Sequence, residues 1–187
     1  MIEDKIFERI GYTEKNLPRE AYEHCVFRNC IFYKSELSSV VFRECKFEGC
    51  DFSLASLKNT TFSNVSFTDC KLLGLRFDEC NHFLLSFVFN NCLLNLSVFY
   101  KLKLKKIRFT RCKLEEVDFT EADLTSAIFD DCDFNRAVFD QTNLEGADFR
   151  TSFNYSIDPT GNRVKKAKFS REGVVGLLDR WDIVIES

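Results

Sequence analysis

Nine cysteines and two histidines are the side chains of this 187-residue sequence best suited to metal or nucleophilic chemistry. Cys25, Cys30, Cys45, Cys50, Cys70, Cys80, Cys92, Cys112 and Cys132 follow a repeat of five residues. A zinc site or a disulfide framework would instead show spacings set by ligand geometry. They read as small buried hydrophobes, the alternative being a reactive thiol at an open end of the fold. His24 and His82 alone are too few for a metal cluster or a Ser-His-Asp constellation. G-x-S-x-G, G-x-G-x-x-G and a Gly-rich phosphate loop ending in Lys-Ser or Lys-Thr are absent. The expectation is a protein that is no enzyme, with no cofactor and no metal.

Charge is the second chemical signal. Lys101, Lys103, Lys105, Lys106, Arg108, Arg111 and Lys113 form a run without an acid. Between Leu114 and Asp148 lie Glu115, Glu116, Asp118, Glu121, Asp123, Asp130, Asp131, Asp133, Asp140, Glu145 and Asp148, against Arg136 as the single base. The acidic stretch is a candidate partner-binding surface, with simple solvation as the alternative. The basic stretch could touch phosphates or balance the acids. A net charge of −3 argues against general nucleic-acid binding.

The elements that must carry these charges follow from 21 phenylalanines. Large apolar residues recur every five positions from Tyr22 to Phe87, interrupted only at His82, and again from Leu94 to Phe149 after a slip of two. Two residues before each centre stands an uncharged, mostly small residue, such as Cys50, Ala55 or Thr60. Two inward positions in five match neither a helix nor a long strand, so the chain must turn at every repeat.

The pattern, seen in Ala122-Asp123-Leu124-Thr125-Ser126 and Ala147-Asp148-Phe149, resembles that of pentapeptide-repeat proteins. The resemblance implies an all-β fold, a right-handed quadrilateral β-helix with four pentapeptides in each coil. Coils at the ~4.8 Å strand spacing would make the acidic stretch roughly 8 Å tall. Duplex DNA, at one charge per ~1.7 Å, carries about five charges over that height. The interior, filled by Phe and Leu, leaves no ligand cavity.

The domains expected are an N-terminal segment at 1–21, the solenoid at 22–150 and a C-terminal segment at 151–187. At the slip, Phe83 is expected to replace His82 as the inward residue. The alternative there is a partner contact through Phe83, Leu84, Val88, Leu93, Leu96, Val98 and Tyr100. After the turn Asp158-Pro159-Thr160-Gly161-Asn162, Ser170 is a candidate N-cap for a short α-helix placing Val174, Leu177, Leu178 and Trp181 on one face. Asp182–Glu186, with Ile183 and Ile185, reads as a strand. This segment would cap the open end or join two copies.

A solenoid followed by such a segment resembles the branch holding the Qnr-type quinolone-resistance proteins, the mycobacterial fluoroquinolone-resistance protein and the microcin B immunity protein. The resemblance implies a homodimer joined through the C-terminal segment, whose acidic rod occupies the DNA-binding surface of DNA gyrase or another type II topoisomerase. It also implies protection from quinolones or a gyrase-targeting toxin. The chain departs from some Qnr-type members in having no long loop between coils, and its overall charge is mild. The competing reading is a generic protein-interaction scaffold. No apolar run reaches ~18 residues, so the expectation is a cytoplasmic protein without a membrane partner.

Overall fold

The structure, a computed structural model, describes residues 1–13, 17–181 and 183–186. Eleven short strands run β1 (Ile2–Glu3), β2 (Ile6–Glu8), β3 (Ala21–Glu23), β4 (Val26–Arg28), β5 (Val41–Arg43), β6 (Lys46–Glu48), β7 (Thr61–Ser63), β8 (Val65–Thr68), β9 (Phe87–Asn90), β10 (Arg108–Thr110) and β11 (Ile128–Asp130). They form two parallel sheets, β1-β3-β5-β7 and β11-β10-β9-β8-β6-β4-β2. Single parallel bridges such as Ile31↔Asp51 and Asp118↔Val138 complete the other sides. The result is a four-sided parallel β-solenoid. Its first to fourth faces are numbered here from those holding Tyr22, Phe27, Phe32 and Leu37.

The corners explain the period of five. Two residues after most inward centres the backbone is left-handed, as at His24 (φ 52°), Asn29 (φ 50°), Lys34 (φ 54°) and Ser39 (φ 64°), while Phe77 is followed instead by a 3-10 turn to Glu79. For a non-glycine residue this conformation costs roughly 1 kcal/mol. The corner N–H offsets part of that cost by donating to the next coil, as from His24 to the Arg43 carbonyl at 3.0 Å.

The core is organised in columns. On the second face Phe7, Phe27, Phe47, Phe67, Phe89, Phe109, Phe129, Phe149 and Phe169 stack with centroid separations of 4.7 to 5.5 Å. That spacing is close to the distance between strands, so ring stacking and backbone pairing reinforce each other. The small inward position has its own chemistry. Thr60, Ser97 and Thr142 donate to the Leu37, Leu72 and Phe119 carbonyls one coil earlier at 2.7 to 2.8 Å. Cys50, Cys70 and Cys92 make the weaker thiol version to Phe27, Phe47 and Phe67 at 3.3 to 3.4 Å. All nine cysteines are buried, and burial pushes the Cys45 thiol up to about 12.

The structure departs from the sequence-based expectations in four places. Residues of the expected N-terminal segment are solenoid: Ile2 and Phe7 pair with Tyr22 and Phe27, so the period runs back to the first strand. The solenoid also passes residue 150, with bridges Asn143↔Arg163 and Asp148↔Lys168.

The slip is resolved differently too. Phe67 pairs with Phe89, and Phe87 sits above Val65 in what is elsewhere the small position. Phe83 and His82 are both exposed. The His82 ring meets the Asp78 carbonyl at 2.9 Å, a polar partner that an inward ring would forgo. Phe87 fills the space instead, 5.5 Å from Phe62 and 5.3 Å from Phe77.

The C-terminal segment forms two 3-10 turns, Gly173–Leu177 and Asp179–Trp181, rather than one α-helix. Ser170 Oγ accepts the Gly173 N–H at 2.9 Å, but the first turn has Glu172, not Ser170, at its N-cap. A side chain at Gly173 would collide with the Tyr155 hydroxyl, and one at Gly176 with the Tyr155 carbonyl. The glycines therefore serve a close approach to the last coil. Ile183–Glu186 are not strand, and Asp182 lies outside the described residues.

Phe109 is fully buried, with Phe89 at 5.0 Å and Phe129 at 5.4 Å. Phe109→Ala should destabilise the protein by about 3–5 kcal/mol, read from chemical denaturation.

Candidate partner-binding surface

The outer surface is where binding chemistry can reside, because the interior is closed. Among the described residues no cluster of His, Cys, Asp or Glu could hold a metal ion. Register assigns each charged side chain to a face. Asp123 and Glu145 lie on the first face, and Asp130, Asp131 and Asp148 on the second. Glu115, Glu116 and Asp133 lie on the third, and Asp118, Glu121 and Asp140 on the fourth. The acidic residues thus form a ring around the rod.

Five of these eleven carboxylates are paired. Lys101 reaches Glu121 at 3.4 Å, and Lys105 reaches Asp123 at 3.4 Å. Arg136 bridges Glu115 and Glu116 at 3.4 and 3.5 Å. Arg150 and Lys168 hold Asp148 at 2.8 and 3.8 Å. Asp118, Asp130, Asp131, Asp133, Asp140 and Glu145 have no ion-pair partner among the described residues. Asp118 and Asp133 accept backbone N–H groups from Thr120 and Asn135 at 2.8 and 3.1 Å, which orients them without cancelling their charge. The Lys-rich coil directly beneath the acids neutralises part of the ring, a cancellation that requires the twenty-residue coil to see.

Two acids of the ring are held below the ordinary carboxylate value. The Arg150 hydrogen bond holds Asp148 below the ordinary 3.8 against the opposing effect of burial. Burial would raise Asp123, but hydrogen bonds from Thr125 and the nearby Lys105 outweigh it and hold it down.

The residues expected at the C-terminal joint divide. Leu177 packs on the core, whereas Val174, Leu178, Trp181, Ile183 and Ile185 are exposed, with Val175 and Val184 beside them. Sequence periodicity missed Tyr155, the buried residue on which this segment closes. Its only sequence signal is a spacing of six after Phe149 rather than five.

The pentapeptide repeat region family matches residues 15–87, 40–119 and 87–158, most of the chain. The chain belongs to the pentapeptide-repeat family. No curated protein matches it. Among solved structures, a trypsin-treated variant of QnrB1, a plasmid-mediated fluoroquinolone resistance protein, is similar at 18% identity and TM-score 0.58. That match covers 100% of this chain and 98% of the other. A second trypsin-treated QnrB1 variant gives 20% identity and TM-score 0.51 over 98% and 99% of the two chains. HetL from the cyanobacterium Nostoc sp. strain PCC 7120, involved in heterocyst differentiation regulation, gives 14% identity and TM-score 0.51 over 92% and 90%. At these identities the pentapeptide-repeat protein shares the fold of its relatives, and its function rests on its own surface.

A depressed carboxylate stabilises the fold above its unfolded pKa and loses that contribution as pH falls through the folded value. The melting-temperature gap between wild type and Asp148→Asn should therefore be full at neutral pH and close as pH drops below 3.8.

Proposed function

We propose that this protein acts by binding, not catalysis, and that its acidic coils occupy the DNA-binding surface of a type II topoisomerase such as DNA gyrase. The observation that carries this reading is the set of six unpaired carboxylates, Asp118, Asp130, Asp131, Asp133, Asp140 and Glu145. They occupy roughly 8 Å of rod, where duplex DNA presents about five charges. A surface of matched charge density on a stiff rod competes for the same cationic groove, and the consequence would be protection of the enzyme from a quinolone or a toxin. Exposed Val174, Val175, Leu178, Trp181, Ile183 and Ile185 supply an apolar joint for a homodimer, with the acidic ring beside it. A generic interaction scaffold is the second reading, favoured by the exposed Phe83 and Leu84, which topoisomerase mimicry does not use.

The test is DNA supercoiling by purified gyrase titrated with this protein, with and without a fluoroquinolone. Wild type should inhibit or protect at micromolar concentration. The second-face pair Asp130→Lys/Asp131→Lys and the fourth-face pair Asp118→Lys/Asp140→Lys separate the sides of the rod. At least one pair should weaken the effect tenfold or more, equivalent to about 1.4 kcal/mol, with an unchanged circular dichroism spectrum. No effect of wild type at high excess would favour the scaffold.

A further inference from the structure

Sorting charge by face isolates one side of the rod that differs from the rest. On the first face, the outward columns above the slip read Lys103–Asp123–Asn143–Arg163, Lys105–Thr125–Glu145–Lys165 and Lys106–Ser126–Gly146–Lys166. Six of these twelve positions are cationic, and one of the two acids, Asp123, is already paired with Lys105. Lys103, Lys106, Arg163, Lys165 and Lys166 are exposed and have no ion-pair partner among the described residues. The two cationic rows stand three coils apart, about 14 Å, on a flat ladder.

Phe83 and Leu84 lie in the segment that joins Phe77 on the fourth face to Phe89 on the second, so the chain carries them across the first face in the coil before Lys103, Lys105 and Lys106. Phe83 and Leu84 are 73% and 65% exposed, while Leu85 turns inward and packs against the core. The segment is tied down at both ends: the Asn81 side chain donates to the Thr61 hydroxyl at 3.1 Å, and Ser86 Oγ donates to Asn64 at 3.2 Å. The Phe83 N–H donates to Asn81 at 3.0 Å. An apolar pair is thus held outward in the coil that precedes the row Lys103, Lys105 and Lys106. Lower on this face Glu23 and the His24–Glu44 contact at 3.5 Å make the charge mixed, which confines the cationic surface to the coils above Phe83.

We infer that the first face docks peripherally on an anionic lipid bilayer, with Phe83 and Leu84 entering the interface and Lys103, Lys105, Lys106, Arg163, Lys165 and Lys166 facing the lipid headgroups. Peripheral binding needs two weak signals together, an apolar insertion and a polybasic patch, and this face supplies both. No helix among the described residues is long and apolar enough to cross a membrane, so the attachment is to the surface. A nucleic-acid duplex would account for the cations but leaves the Phe–Leu pair without a role. This inference does not depend on the topoisomerase reading, since the six unpaired acids include only Glu145 from this face.

The test is flotation of the full chain with phosphatidylglycerol-containing vesicles against pure phosphatidylcholine vesicles. Wild type should partition onto the anionic vesicles and lose binding as salt is raised. Phe83→Ser/Leu84→Ser and Lys103→Glu/Lys106→Glu, all at exposed positions, should each reduce the bound fraction at least tenfold. The second-face control Arg108→Glu/Arg111→Glu should retain it. Failure of wild type to bind anionic vesicles at low salt overturns the inference, as does binding that survives the Phe83/Leu84 change. Binding of duplex DNA that needs Lys103 and Lys106 but not Phe83 and Leu84, with no vesicle binding, assigns the face to nucleic acid instead.

Discussion

Successive coils are tied by backbone hydrogen bonds running in both directions, as where Val26 donates to the Lys5 carbonyl at 2.9 Å and Asn29 to the Glu48 carbonyl at 2.8 Å, the first face at the slip being the exception. This ladder sets the coil separation near the strand spacing, and the remainder of the molecule accommodates that number. Inside, it leaves room for a ring on a ring, which is why the second face can carry phenylalanine along its whole length. The small inward position fits a side chain that either makes no demand, as Ala122 does, or bonds one coil back, as Thr142 does at 2.8 Å. Cysteine satisfies both descriptions, being small and a weak donor, so its abundance follows from the slot and needs no redox role.

The same ladder converts sequence spacing into surface columns. Residues twenty apart become neighbours, and a basic stretch followed by an acidic one becomes a stack of opposite charges, as at Lys101–Glu121. The electrostatic character of the rod therefore depends on the difference between adjacent coils. Where lysine lies under acid the charges offset each other, as at Lys105 and Asp123. Where lysine or arginine returns three coils later, as at Arg163, Lys165 and Lys166, the first face stays cationic. The uncompensated acids lie mainly on the other faces. One rod can then present surfaces of opposite sign to different partners without any change of fold.

Much of this was legible in the sequence because a five-residue period survives substitution of Leu for Phe. The core positions from Phe27 to Phe77 and from Leu94 to Phe149 read directly, as did the structural role of the cysteines. What periodicity could not resolve was the slip, since Phe87 and Phe89 both suit an inward position and only the pairing of Phe67 with Phe89 separates them. The face on which a charge falls emerges only when the residues are counted around a twenty-residue coil, with the two extra residues at the slip placed in it. At the C-terminus, Val174, Leu177, Leu178 and Trp181 have α-helical spacing, yet the close approach of Gly173 and Gly176 to Tyr155 is a tertiary constraint that favours a tighter turn.

The charged exterior, rather than any pocket, is the surface proposed to bind a partner, and the most direct test is competition. Fluorescently labelled duplex DNA bound to a type II topoisomerase should be displaced by the unlabelled protein, with displacement weakening as ionic strength rises. A ternary complex in which enzyme, DNA and this protein are bound together, with the DNA affinity unchanged, would contradict the account.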